Sequence, residues 1–314
     1  MHERGAGRRV AILLGSFDGE SYLRAQLASI AAQTHGDWSL LVSDDGSRDR
    51  TRDIVAAFAA EIGGGRVRLC EGPRRGFVAN FLSMACRSDL DADYFAFCDQ
   101  DDLWHPHKLA HAIETLERAP AAGHPARLYG GRTLLVDDQG GEIGMSPLFC
   151  GAPSFANALV QSYAGANTMV FNAAARALLQ RLGPVEGVAS HDWWAYLVVS
   201  GAGGRVIYDP QPMLRYRQHD DNLQGHNRGL GARVRRLLDL LAGRMRGWNA
   251  AHVAALSAHA DLLTADNRAV LEAFREALAG QGFAALRALA RSGAVRQRRI
   301  DNLALKACAL VGRL

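Results

Sequence analysis

Carboxylates gather at three points along the chain. The run "YFAFCDQDD" sets Asp99, Asp101 and Asp102 directly after an apolar, aromatic stretch; "WSLLVSDDGS" ends another apolar run in Asp44 and Asp45; "SHDWWAYL" opens a third with Asp192. Acids spaced like Asp99 and Asp101 repel one another unless a cation sits between them or they contact a sugar hydroxyl. A few oxygen ligands on one loop suit Mg²⁺ or Mn²⁺ held jointly with substrate phosphates. A plainer reading makes Asp101 and Asp102 caps of a helix that starts near Trp104, because Asp is favoured in that position. Ser43 to Ser47 can likewise be only a strand-to-helix turn. Two acidic clusters at equivalent strand ends favour one shared site.

The elements that must carry these acids are read from hydrophobic period. "RRVAILLGS" has the length and continuity of a buried strand, and "GESYLRAQLASIAAQT" puts Leu23, Leu27, Ile30 and Ala31 on one helical face. "WSLLVSDD" is the next strand, followed by a helix from about Arg50 to Ala60, the strand "RVRLCEG", a helix from about Phe77 to Cys86 and the strand "YFAFCD". Repeated βα alternation predicts an α/β fold with a mostly parallel sheet between helices. Ligands of such sheets sit beyond the carboxyl ends of the strands, where the acids lie. Further on come "RLYGGRTLLVDD", the strand "NTMVFN", the helix "HDWWAYLVVSG" and the strand "RVIYDP".

Composition narrows the class. At 314 residues with 48% hydrophobic and 22% charged residues, the chain has ample material for a core and does not read as disordered. No apolar run approaches a membrane span, and "MHERGAGRRVAILL" is too short in its apolar part for a secretory leader. Five scattered cysteines without a CxxC pair point away from a zinc site or disulfide framework and toward a reducing cytoplasm. The first strand is followed by "GSFDGE" in place of GxGxxG, which disfavours a dinucleotide oxidoreductase.

Taken in order, "GSFDGESYLRAQLASIAAQT", "SDDGSRDRT", "FCDQDDLWHPHKL", "SHDWWAYL" and "YRQHDDN" resemble glycosyltransferase family 2, in its rhamnosyltransferase-like branch. The resemblance covers about residues 1–227 and, more weakly, the tail at "RQRRIDNL". It implies a GT-A fold with a nucleotide-binding half over about 1–105 and an acceptor half over about 106–227. It also implies that Ser16, Phe17, Asp18 and Asp44 contact the nucleoside, with Asp44 reading a pyrimidine. Asp99 and Asp101 match a DxD motif, the first touching ribose and the second ligating Mg²⁺ or Mn²⁺ on the diphosphate. Asp192 matches the catalytic base, and His219 stands where some relatives place a histidine near the metal or diphosphate. The implied activity is inverting transfer from a nucleotide diphosphate sugar, with dTDP-rhamnose the best single donor, to a glycan or lipid-linked acceptor. The sequence departs from relatives at Asp18, often Asn, and Asn167, commonly Cys.

Other side chains carry two readings each. His191 and Trp193 flank the base and could meet an acceptor, or serve the turn and the core. Trp104 reads as packing; Arg75 and Lys108 could approach phosphate, although isolated basic residues usually lie on the surface. A catalytically silent GT-A module is the rival function, and the acids standing in register argue against it.

The remainder, 228–314, is Ala/Leu/Arg-rich and reads as a basic helical extension, with 15 Lys+Arg against 6 Asp+Glu; residues 1–227 hold 21 against 26. Its few aromatics, Trp248, Phe274 and Phe283, argue against nucleic acid. Leu230, Val234, Leu237, Leu238 and Leu241 recur at helical spacing among arginines, and Ile300, Leu303, Ala307, Leu310 and Val311 share a face behind Arg296, Arg298 and Arg299. Basic amphipathic helices lie at anionic membrane surfaces, here the cytoplasmic face; packing on the body or on a second subunit is the competing expectation.

Overall fold

The computed structural model describes residues 8–218 and 244–314. Its centre is β1 (Val10–Ser16), flanked by β2 (Trp38–Asp44) and β4 (Tyr94–Cys98), both parallel to it. A strand covered on both faces needs no polar alternation, which is why VAILLGS is apolar nearly throughout. Its side chains alternate between two cores: Val10, Ile12 and Leu14 join the cluster on one face, Ala11 and Leu13 that on the other.

The seven-stranded sheet runs β10-β6-β9-β4-β1-β2-β3, with β3 (Val67–Glu71) at one edge and β10 (Arg205–Asp209) at the other. Only β9 (Val170–Asn172) is antiparallel to its neighbours, lying between β4 and β6 (Arg127–Gly131). The mostly parallel α/β expectation is met. One face is covered by α1 (Leu23–Ala31), α2 (Thr51–Ile62) and α4 (Lys108–Arg118), whose Leu27, Val55 and Leu109 enter the same cluster. The other carries α3 (Phe77–Cys86), α6 (Ala173–Leu182) and α7 (His191–Gly201), with the one-turn α5 (Phe155–Ala158) packed on α7.

The helix expected near Trp104 is not there. Leu103–Trp104 is a short strand, β5, paired antiparallel with β11 (Leu214–Arg217) in a second sheet that continues through β7 (Leu134–Val136) and β8 (Glu142–Met145). The helix starts at Lys108 with His107 at its N-cap, so neither Asp101 nor Asp102 caps it.

Four further helices, α8 (Arg244–Ala258), α9 (Ala265–Ala279), α10 (Gly282–Ser292) and α11 (Arg299–Leu310), pack onto the second face. Phe274, Leu289 and Leu305 share one apolar cluster with Phe155, Trp194 and Leu197. Polar seams reinforce it: Asn157 Nδ2 donates to the Val295 carbonyl (2.7 Å), Arg296 Nη1 to that of Val160 (2.9 Å), and the Gln297 amide to Gln161 Oε1 (2.9 Å). Among the described residues, no helix is long and apolar enough to cross a membrane.

Candidate active site

The carboxyl ends of β1, β2 and β4 form one edge, with Ser16 in register with Asp44 and Leu14 with Cys98. Asp44 is fully buried and accepts from Ser16 Oγ (3.2 Å), the Ser47 amide (3.1 Å), the Ser47 hydroxyl and Arg52 Nη1 (3.4 Å). Buried charge is tolerated because it is surrounded by donors. Its neighbour Asp45 faces the other way, accepting from the amides of Arg74 (2.6 Å) and Gly76 (2.9 Å) to shape the turn into α3. Gly72 permits that approach: a Cβ there would lie 2.8 Å from Asp45 Oδ1 and 2.9 Å from Asn80 Oδ1.

The loop after β1 is laced to its surroundings. Phe17 and Gln100 form a reciprocal pair, amide to Oε1 and Nε2 to carbonyl, both 2.9 Å. Asp18 adopts a positive φ of 45° and holds it with its own amide on Ser47 Oγ (2.9 Å) and its carboxylate on the Arg48 amide (2.7 Å). The Phe17 ring is left 56% exposed at this edge, a flat apolar surface open to a ligand.

Beyond β4 the acids converge. Burial raises the Asp99 carboxyl to about 8, with further rises from Asp101 and from Asp192, so the Asp192 carboxylate lies within electrostatic reach. Asp102 is buried and raised by burial first, then by Asp101 and Asp99; Asn167 Nδ2 donates to its Oδ2 (2.6 Å), while its Oδ1 has no hydrogen-bond partner. Arg217 of β11 reaches under this loop to the carbonyls of Asp101 (3.2 Å) and Asp138 (2.7 Å). Asp192, in the first turn of α7, is 8% exposed and raised by burial, opposed by hydrogen bonds from Ser190 and the local backbone. A carboxylate pushed upward is a better proton acceptor.

Lys108, expected on the surface, is fully buried with its Nζ 3.5 Å from the centre of the Trp104 ring. Burial lowers it to about 7, against the pull of Cys98, Asp102 and Asp99. Sequence reasoning missed it as the counter-charge beneath the acids, along with Arg217 and Gln100; each gains its role from a partner far away in the chain. Arg75 does lie on the surface, paired with Glu186 (2.5 Å), a partner that a phosphate would have to replace.

His191 and Trp193 belong to the interior. The His191 ring stacks on Phe81 (centroids 4.0 Å, 10° between planes) and meets Phe97 edge-on at 4.8 Å; neither ring nitrogen has a hydrogen-bond partner, and burial lowers it to about 3. Trp193 donates its indole N–H to the Ala158 carbonyl (2.6 Å) and packs against Trp248 and His252. Both side chains follow the core reading, one of the two that the sequence left open for them. His219 and the positions Leu230 to Leu241 lie outside the described residues.

The donor set fits a divalent cation shared with a ligand. Several carboxylates converge with one buried lysine, and burial leaves them short of positive charge. Among the described residues no three His, Cys, Asp or Glu side chains form a ready-made metal cage.

Comparison with known proteins agrees with this arrangement. The profile of Glycosyl transferase family 2 matches residues 12–138. The dTDP-rhamnosyl transferase RfbG of Shigella flexneri is 26% identical over 231 residues, covering 71% of this chain and 78% of that protein. The UDP-Glc:alpha-D-GlcNAc-diphosphoundecaprenol beta-1,3-glucosyltransferase WfgD of Escherichia coli is 31% identical over 107 residues, 34% of this chain and 40% of that one. The mannosyltransferase PcManGT of Pyrobaculum calidifontis, solved with GDP-Man and Mn²⁺, superposes with a TM-score of 0.52 at 18% identity over 98% of this chain and 86% of its own, a likeness of fold. By the profile match over residues 12–138 and its curated relatives the chain is similar to glycosyl transferase family 2, and it has the GT-A fold of its structural neighbours.

Proposed function

We propose that the protein transfers a sugar, L-rhamnose the best single choice, from a nucleotide diphosphate donor to a glycan or lipid-linked acceptor with inversion at the anomeric carbon. One observation carries this reading: Asp192, on the acceptor half, lies within electrostatic reach of Asp99 at the end of β4. That proximity supports a site shared by a base and a donor-binding acid. The acceptor oxygen bonds to the anomeric carbon as the bond to the diphosphate oxygen breaks; the electron pair leaves with the diphosphate and the acceptor proton passes to Asp192. A single displacement requires no enzyme nucleophile. Ser16, Phe17, Asp18 and Asp44 would hold the nucleoside and Asp99 the ribose. Asp101, joined by His219, would hold Mg²⁺ or Mn²⁺, which neutralises charge on the leaving diphosphate.

The rhamnosyl donor is supported by the name of the Shigella relative, and the lipid-linked acceptor by that of the Escherichia one. Cytoplasmic placement is supported by the free cysteines. The test is a panel of nucleotide sugars scored by metal-dependent thermal protection and then by transfer. Protection by dTDP-rhamnose that disappears with chelator, and is absent in Asp101→Ala, is the expected result. Turnover indifferent to chelator and to Asp101→Ala would remove the metal from the scheme, and nucleotide binding without transfer to any glycan would favour the silent module.

A further inference from the structure

Helix α11 is amphipathic twice over. Leu305, Cys308 and Ala309 face the body and are buried there. On the opposite side Ile300 (71% exposed), Leu303 (67%), Leu310 and Val311 form an apolar strip in solvent. The chain turn beyond α11 brings Gly312 against Gln281, next to the start of α10, where Phe283 is 76% exposed. At helical spacing Arg299 and Lys306 border one side of the strip; both are exposed, as are Arg298 and Arg313 near the helix ends. The acid nearest in sequence, Asp301, is half-buried and 3.8 Å from Arg296.

A soluble protein does not leave a continuous strip of large apolar side chains in water without a partner for it. Body packing is already met by the other face of α11. We infer that this strip is a docking surface for an anionic lipid bilayer, with Ile300, Leu303, Leu310, Val311 and Phe283 entering the interface and the bordering cations meeting lipid headgroups. Charge selects the occupant: a second copy of this chain packed antiparallel across a two-fold axis would set Arg299 and Lys306 against themselves, whereas an anionic surface complements them in any orientation. The surface stands apart from the acidic site and does not depend on which sugar is moved.

The experiment is co-sedimentation of the full chain with vesicles of phosphatidylcholine alone or mixed with phosphatidylglycerol, at low and high salt. Binding to the anionic vesicles, reversed by salt, is expected. Each cation near the surface contributes roughly fivefold to partitioning, so Arg299→Gln with Lys306→Gln weakens it by about 25-fold. Ile300→Ser with Leu303→Ser abolishes it even at low salt, and because these side chains already lie in solvent, the thermal midpoint stays within a few degrees of the parent. Absence of binding to anionic vesicles at low salt overturns the proposal. So does a parent dimer in analytical ultracentrifugation that Ile300→Ser with Leu303→Ser converts to monomer, which would assign the strip to a second copy.

Discussion

Replacing His191 by Phe tests the interior beside the proposed base. The imidazole is buried among Phe77, Phe81 and Phe97 with neither nitrogen hydrogen-bonded, so Phe keeps the stack and removes two unsatisfied polar atoms. At pH 7 this gain, about 1–3 kcal/mol, is opposed by a packing cost of similar size for the bulkier ring. The pH dependence is the cleaner quantity. The folded value is lowered from 6.5 to about 3 by burial, so the unfolded chain takes up a proton that the folded chain refuses. Stability from this group is therefore intact above pH 6.5 and lost as pH falls toward 3, at about 1.4 kcal/mol per unit. Between pH 7 and pH 5 the parent should lose about 2 kcal/mol that His191→Phe does not. His252, lowered to about 4 by its own burial, titrates in both proteins and cancels in the difference. Urea unfolding followed by tryptophan fluorescence at the two pH values measures it. A parent-minus-variant difference that is the same at both would refute a neutral, dry His191.

Three further outcomes follow from the geometry. Asp192→Asn should lower transfer by about a hundredfold or more while calorimetric affinity for the donor stays nearly unchanged; equal losses would make Asp192 a donor ligand. Trp193→Phe strands the Ala158 carbonyl in the interior and should cost about 1–3 kcal/mol in urea unfolding with the acceptor KM unchanged, whereas a raised KM at intact stability would restore Trp193 to the acceptor site. If Asp44 reads a pyrimidine, calorimetry should show dTDP or UDP binding more tightly than GDP, and the reverse order would sink that assignment.

Much of the scaffold was legible because its signals are local. Phe77–Cys86 and His191–Gly201 fold as the helices their periods describe, and the apolar runs ending in Asp44 and Asp99 are strands whose ends share one edge. What stayed hidden depends on distant partners. Two residues have no period, so Leu103–Trp104 becomes a strand only because Leu214 and Arg215 lie beside it. The reversed direction of β9 cannot be read from three residues, since parallel and antiparallel neighbours ask for the same side chains. Lys108 looks like any helix-start cation until Trp104 closes over it and Asp99 and Asp102 approach from the loop after β4.

The change of composition after residue 228 invites the cut of a removable appendage, yet the helices beyond it share a core with α5 and α7. Phe274 and Leu305 help to close the interior behind the element that presents Asp192. A shortened chain would expose that interior, so loss of activity on truncation would report damage to the support of Asp192 and say nothing of membranes. The same continuity bears on descent: a recombination that exchanged the tail alone would unseat α5 and α7, so tail and sheet-covering helices are expected to have been inherited, and to be transplanted in any chimera, as one piece.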